Sequence, residues 1–415
     1  MLSEIIQGLD HDQISIGLNS IISSVQFLHD QQMIHGNITI ASILVNSHGD
    51  WLLSNLEMLC ELENYNVAYI QKYKALNTDA SFIYPEDLLE FNIESFKARD
   101  YYGLGRLINV ELAPFIFSDL DQPKEINGRV LRNTAILMMS DPVSMRESIT
   151  NLLSCKAFSE NIAIHIDSSL RHIRTMGTSA KTEFLAGLYT NLRSCSMECR
   201  RAIIIERILT PDFFSEKVAI AFFSSLFLET HLDFSEEALL SRANYFELVV
   251  PFIRGLFQIK EYAVRVGLLK LISLYIEDLN DADTHYLDTF LVENVIFGFE
   301  DQDDYVYYFS IYGLASIMPV YIQATFQLET RNEGEINVES DLLSKIPAGK
   351  RESSKLRFSS VDLVENYLIP HALKLSVTGN LSALIHHFWL IFASLTHLWK
   401  FVTRLNNSTK VTIEI

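Results

Sequence analysis

The sequence predicts a mostly α chain: a helical domain carrying one short β-hairpin, followed by an α-solenoid of stacked helix pairs. Three observations predict this. Apolar residues recur at helical spacing through most of the 415 residues. The stretch Phe27 to Glu57 reads as helix end, polar loop, two short apolar runs around a glycine turn, and a further turn. From residue 255 onward a segment repeats itself at a constant offset of 43 residues. Hydrophobic residues make up 48% of the chain, including 26 Phe and 17 Tyr, which is ample for large cores. The length suits roughly two or three domains, or one domain and a repeat array.

The first element is a helix over Ile14–His29, with apolar residues at Ile14, Leu18, Ile21, Ile22, Val25 and Leu28. It leads into His35-Gly36-Asn37. The runs Ile43-Leu44-Val45 and Trp51-Leu52-Leu53, parted by His48-Gly49-Asp50, form a hairpin, and Asn55-Leu56-Glu57 follows. In this register the stretch resembles the catalytic loop, hairpin and metal-binding turn of a protein kinase, H-R-D-L-x-x-x-N followed by D-F-G. His35 keeps the histidine, Gly36 replaces the arginine, and Asn37 replaces the catalytic aspartate. Ser42 falls where the metal-binding asparagine belongs, Thr39 where a phosphate-contacting lysine usually sits, and Asn55 where the metal-binding aspartate belongs.

These exchanges have plain chemical meaning. The Asn37 amide cannot take a proton from a substrate hydroxyl near neutral pH. Mg²⁺ prefers anionic oxygen in near-octahedral geometry, so Ser42 and Asn55 are a poor pair for it. Glu57 offers a carboxylate two residues late, at a position that normally turns away. No catalytic residue, metal or cofactor is therefore expected.

Two further landmarks resemble the same lobe. Tyr84-Pro85-Glu86 stands for the A-P-E that closes an activation segment. The run from Arg99 and Asp100 to Gly105 stands for the start of the central helix, whose aspartate tethers the catalytic-loop backbone. Asp141-Pro142 with Arg146 is close to a late-helix motif, one residue displaced, which leaves the partner of Glu86 open. Residues 1–415 contain no glycine-rich loop, no V-A-I-K lysine and no glutamate of the kind that clamps ATP phosphates. The expectation is that the native start lies upstream of Met1; a lobe used alone is the alternative.

Past residue 160 the expected helices include Ser168–Met176, Lys181–Arg193, Glu198–Leu209, Glu216–Leu228 and Tyr245–Phe257. The repeat then aligns Gly255 with Gly298, Glu261 with Asp304, Tyr262 with Tyr305, Leu271 with Leu314 and Ser273 with Ser316. That period lies within the about 40–47 residues of HEAT and armadillo helical units. Such units bury only one face alone and must stack, so Leu268, Leu271, Ile311 and Leu314 are expected in a shared core. A third unit is suggested by Tyr367 to Leu373, echoing Val249 to Ile253.

The expected domains are a degenerate kinase C-lobe over 1–160 and HEAT-like repeats over 161–328. A charged flexible insertion over 329–360, a further helix pair over 361–405 and a tail over 406–415 complete the chain. Leu381–Phe401 approaches the roughly 20 residues that cross a bilayer. It holds His386, His387, His397 and Lys400, so a buried solenoid helix is expected and no transmembrane segment.

A net charge of −19 opposes nucleic-acid binding, which needs a positive field. Four cysteines are few and lack zinc-finger spacing, which suits a reducing, cytoplasmic setting. No secretory signal is expected at the N-terminus. Acidic residues cluster at Glu277-Asp278, Asp281 and Asp283, and again at Glu300, Asp301, Asp303 and Asp304. Read as turns between paired helices, they form a candidate partner ridge for a basic segment; a merely solvated surface is the alternative.

His35-Gly36-Asn37, Gly49-Asp50-Trp51, Asn55-Leu56-Glu57 and the repeat segments Val250–Phe257 and Ala263–Leu269 together resemble the Scyl (Scy-one-like) pseudokinase family, and within it the ezrin-binding branch. The resemblance covers most of residues 14–330 and, more weakly, 361–400. It implies a non-catalytic scaffold joining an inactive kinase domain to HEAT repeats. Partners would be ezrin-like or trafficking proteins, at the Golgi or in adhesion and migration at the cell cortex. The chain departs from that pattern at both ends. It begins Met1-Leu2 rather than with a glycine for myristoylation, and ends Thr412-Ile413-Glu414-Ile415 without a basic tail, so membrane association is expected to be indirect. A residual kinase or nucleotide-binding protein and a generic HEAT adaptor remain the alternatives.

Overall fold

Asp10 opens the first long helix by a reciprocal cap: its carboxylate accepts the Gln13 backbone N–H at 2.9 Å, and Gln13 accepts that of Asp10 at 3.1 Å. The helix runs His11–Asp30, close to the expected span. The computed structural model describes residues 1–76, 84, 95–117, 125–141, 143–234, 238–280, 287–336, 358, 362–371 and 374. The chain divides into two units, Met1–Ile208 and Leu209–Ile415. The described residues are mainly helical, with two small antiparallel sheets in the first unit.

In the first unit the expected hairpin pairs Ile43 with Leu53, Leu44 with Leu52 and Val45 with Trp51. A second ladder joins Met33-Ile34 to Cys60-Glu61, so the strands bracket the kinase-like loop. Trp51 anchors the hairpin. Its ring packs so closely on the first helix that a Cβ at Gly17 would lie 2.2 Å from it, and Ser20 Oγ donates to the Trp51 carbonyl at 3.2 Å. Trp51, Ile14, Leu18, Ile21, Val25, Leu104 and Leu107 belong to one core cluster. Helix Ser95–Arg106 approaches Glu125–Met138 just as closely at Gly105, where a Cβ would sit 2.5 Å from the Ala135 carbonyl oxygen.

Beyond residue 160 the first helix differs from its expected span. It runs Ile162–Arg171 rather than Ser168–Met176, because the Asn161 side chain caps the Ile164 N–H at 3.1 Å and fixes an earlier start. Helices Thr178–Arg193 and Met197–Ile203, the latter continued by a π-turn to Ile208, lie where the pattern places them, and all three helices group with the first unit.

The second unit is built of paired helices. Phenylalanine fills its start: Phe214 and Phe223 lie 4.8 Å apart between ring centres, and Phe223 stacks on Phe252 at 6.1 Å. Helix Tyr262–Asn280 packs along helix Asp304–Ile336. The 43-residue offset survives in three dimensions. Tyr262 and Tyr305 both stand exposed in a first turn, whereas Leu271 and Leu314 are both buried, as are Leu268 and Ile311. The second helix continues to Ile336, past residue 329 where the charged segment begins. Residues Asp362–His371 supply a further helical stretch, and His371 stacks on Phe299 at 4.5 Å and meets the Tyr307 hydroxyl at 2.9 Å. Leu381–Phe401, most of 329–360 and the tail lie outside the described residues. Within them, Asp304–Ile322 is long and apolar enough to cross a membrane, but 67% of it is buried inside the protein.

Glu277 and Asp278 prove to be helical, on Tyr262–Asn280, and not part of a turn. Asp278 is buried and accepts from the Tyr245 hydroxyl at 3.0 Å. Burial pushes its carboxyl up to about 6, against the opposing pull of Tyr245, His231 and Thr230, and neighbouring Glu277 pushes the same way as burial.

Two outcomes follow for this unit. Leu271→Ala and Leu314→Ala should each lower the urea unfolding free energy by about 2–5 kcal/mol, since each leaves a void in a packed core. Asp278 gives a pH dependence of definite sign. Its folded value lies above its unfolded one, so its contribution is complete below the unfolded pKa and lost as pH rises through about 6. Melting curves of wild type and Asp278→Asn between pH 4 and 8 should therefore differ in slope around pH 6, the wild type losing more stability as pH rises.

Candidate functional site

Asp100, fully buried in helix Ser95–Arg106, holds the kinase-like loop. Its Oδ2 accepts the His35 backbone N–H at 2.9 Å, and its Oδ1 that of Gly36 at 2.8 Å. His29 Nε2 lies 3.0 Å from Oδ2, which makes that nitrogen the protonated one. A buried carboxylate is tolerable only when donors surround it, and here three do. The kinase-like pattern marks Asp100 as the tether, whereas His29, at the polar end of an amphipathic helix, carries no local sign of this partner.

The loop is stitched to the turn beyond the hairpin. His35 Nε2 donates to the Ser54 carbonyl at 2.7 Å, leaving Nδ1 to accept the Asn37 N–H at 3.4 Å. Asn55 Nδ2 donates to the Ala41 carbonyl at 3.0 Å, from a left-handed backbone with φ of 58° that asparagine tolerates. Ser42 is buried, and its hydroxyl is occupied by Thr39, donating to that carbonyl at 2.7 Å and accepting the N–H at 3.0 Å. From a different helical segment, Glu111 accepts the Ile40 N–H at 2.5 Å, a contact the sequence gave no sign of. Glu57 and Leu56 are exposed. Asn37 Oδ1 is buried without a hydrogen-bond partner.

Gly36 cannot be other than glycine without rearrangement. Its φ is +78°, and a Cβ would lie 2.0 Å from the Tyr69 hydroxyl, which itself donates to the Met58 carbonyl at 2.8 Å. Where a kinase loop carries arginine, this loop is closed by a tyrosine. Glu86 and Pro85 lie outside the described residues. Tyr84 is buried, with Arg99 4.4 Å over its ring. Arg146 donates to the carbonyls of Ala98 at 2.8 Å and Ser140 at 3.1 Å.

An ion-pair square ties the hairpin turn to the helices that follow the lobe. Asp167 meets Arg171 Nε at 2.6 Å and Arg207 Nε at 3.2 Å, and both guanidinium groups also reach Asp50. Burial pushes the Asp50 carboxyl up, but hydrogen bonds from Arg171 and Asn46 and the charges of both arginines outweigh it and hold the carboxyl below its ordinary value. Beside the square, His48 Nδ1 meets Glu206 at 2.5 Å. Ser196 adds a second joint, its N–H reaching Asp12 at 2.8 Å and its hydroxyl Asp10 at 2.6 Å. In the sequence Asp50 is only a turn residue, and nothing local marks partners so far along the chain.

In the second unit Glu300, Asp301, Asp303 and Asp304 come together where one helical segment ends and the next begins. Their roles differ. Asp303 caps the N–H groups of Tyr305 at 2.9 Å and Val306 at 3.1 Å, and Asp301 pairs with Arg265 at 3.0 Å. Glu300 and Asp304 face solvent. Asp281 and Asp283 lie outside the described residues. No cluster of His, Cys, Asp and Glu able to hold a metal occurs among the described residues.

No protein-family model matches the chain. It is 25% identical over 321 residues to the mouse (Mus musculus) protein "Protein-associating with the carboxyl-terminal domain of ezrin", a match covering 75% of this chain and 43% of that protein. It is 21% identical over 314 residues to the "Probable inactive serine/threonine-protein kinase scy1" of Dictyostelium discoideum, covering 72% and 36% respectively. The chain's homologues are thus Scyl-family proteins, and it spans less than half the length of either. Among solved structures, the crystal structure of Cex1p superposes with a TM-score of 0.41 at 16% identity, over 83% of this chain and 59% of that one.

Asp100→Ala should cost about 3–5 kcal/mol in a denaturant titration, because it strands two loop N–H groups and a buried imidazole. Gly36→Ala should also destabilise, and Gly36→Ala with Tyr69→Phe should recover part of the loss. An unchanged midpoint for Asp100→Ala would contradict the tether.

Proposed function

We propose that this chain, a homologue of Scyl-type inactive kinases, is a non-catalytic pseudokinase scaffold whose helical repeats bind other proteins. The observation that carries the reading is chemical. At the positions of base and metal ligands stand Asn37, Ser42 and Asn55, and the last two already spend their side chains on backbone partners. Asp100, which positions the loop and needs no chemistry, stays in place with its donors satisfied. A frame kept without its reacting groups suits a protein whose kinase-like part serves as a shape.

The finer reading rests on the relatives. One is named for associating with the carboxyl-terminal domain of ezrin, so we extend to this chain an ezrin-like or trafficking partner, a cytoplasmic setting and peripheral residence at the Golgi or cell cortex. The adhesion, migration and vesicle-traffic roles belong to the same proposal.

The expected result in a thermal-shift assay is no Mg·ATP stabilisation, with no transfer of radiolabelled phosphate to a generic substrate. A clear Mg·ATP shift that Asn55→Ala removes would overturn the reading. For the partner, purified chain should retain the carboxyl-terminal domain of ezrin on beads, and failure to do so would remove the ezrin extension alone.

A further inference from the structure

Two thiols meet at the turn between helices Thr178–Arg193 and Met197–Ile203, where the Cys199 S–H donates to the Cys195 sulfur. Backbone contacts fix both residues. The Cys195 N–H donates to the Leu192 carbonyl at 3.1 Å, and the Cys199 N–H to Ser196 Oγ at 3.1 Å. Arg200 donates to the carbonyls of Cys195 at 3.1 Å and Arg193 at 3.0 Å, which places its guanidinium beside the pair. Cys195 keeps an edge to solvent, 6% of its surface, whereas Cys199 has none. Cys199 also lines a cavity of about 100 Å³ with Ile5, Leu9, Gln13 and Ile203, room for a molecule of a few heavy atoms.

We propose that Cys195 and Cys199 form a reversible disulfide, with a peroxide as the oxidant. The four free cysteines are not alike. Burial pushes the Cys60 and Cys155 thiols up. The hydrogen bond from Cys199 instead holds the Cys195 thiol below its ordinary value, against burial and the carboxylates of Asp12 and Asp10, and the Arg200 charge helps. Cys199, as the donor and by its own burial, is pushed up. Cys195 is therefore the sulfur that attacks and Cys199 the one that resolves.

The Cys195 thiolate attacks one peroxide oxygen, the O–O bond breaks, and the released hydroxide takes up the displaced thiol proton as water. The Cys199 thiol then attacks the sulfenic sulfur. An S–S bond forms, the S–O bond breaks, and the hydroxyl leaves with the Cys199 proton as a second water. Each thiol gives up one electron and the peroxide takes both. Sulfurs already in contact make the second step intramolecular. Size and charge choose the oxidant. A neutral peroxide suits the small opening and is indifferent to Asp10 and Asp12, whereas glutathione disulfide is bulky and anionic and meets both carboxylates.

The test treats the reduced 415-residue chain with hydrogen peroxide or with glutathione disulfide, then alkylates it under denaturing conditions and digests it with trypsin. Arg193 and Arg200 bracket both cysteines, so one peptide, Ser194–Arg200, reports the pair by mass. With peroxide that peptide should lose two hydrogens and escape alkylation roughly tenfold faster than Cys60 or Cys155 is oxidised. Dithiothreitol should restore it, and glutathione disulfide should act roughly tenfold more slowly than peroxide. In Cys199→Ser the sulfenic acid should persist at Cys195 and be trapped by dimedone, whereas Cys195→Ser should leave Cys199 unoxidised. A pair that stays reduced while Cys60 or Cys155 oxidises would overturn the proposal. So would sulfinic acid on Cys195 beside a free Cys199, or faster reaction with glutathione disulfide. The wild-type arms decide these outcomes even if a variant fails to fold.

Discussion

The first unit depends on one buried carboxylate. Asp100 sits where water cannot solvate it, and ionised oxygens there require compensation by fixed donors. The donors are the backbone at His35 and Gly36 and the ring of His29, so the central helix, the loop and the first helix are locked by a single group. Everything downstream inherits that lock. His35, oriented by its own backbone, reaches Ser54, and the turn at Asn55 reaches back to Ala41. The loop and the turn beyond it are thus held through backbone groups, with Ser42 turned inward and Asn55 at the surface.

The ion-pair square does comparable service farther along. Asp50 and Asp167 each accept from two arginines, so no charge in the set is left facing its own kind. Half-buried guanidinium–carboxylate pairs with shared partners are geometrically restrictive, since moving one member disturbs several contacts. The helices from Ile162 to Ile208 are in this way fixed to the hairpin turn by direction as well as by apolar area.

Periodic features were legible in the sequence and long-range pairings were not. The first helix, the hairpin register and the 43-residue repeat all follow from local pattern, because apolar spacing is dictated by the element that must bury it. The helix after residue 160 begins at Ile162 and not at Ser168 because its start is decided by one capping side chain, Asn161, rather than by periodicity. Glu277 and Asp278 looked like turn carboxylates because charge suggests exposure, yet Asp278 is buried against a tyrosine hydroxyl. His29, Glu111, Arg171 and Arg207 carried no local signal, since what defines them is a partner distant in sequence. At the kinase-like loop the residue types were readable but not their occupancy, as Ser42 shows by spending its hydroxyl on Thr39.

Gly36 and Tyr69 constrain each other. The glycine's left-handed backbone and the hydroxyl of Tyr69 fill the volume that a side chain would need. A side chain of any size at this position would have to displace a tyrosine that is itself hydrogen-bonded to the main chain. The arrangement is self-locking: any side chain placed at Gly36 alone meets both the left-handed backbone and the tyrosine hydroxyl, so the space opens only if Tyr69 and the Met58 carbonyl it holds move as well.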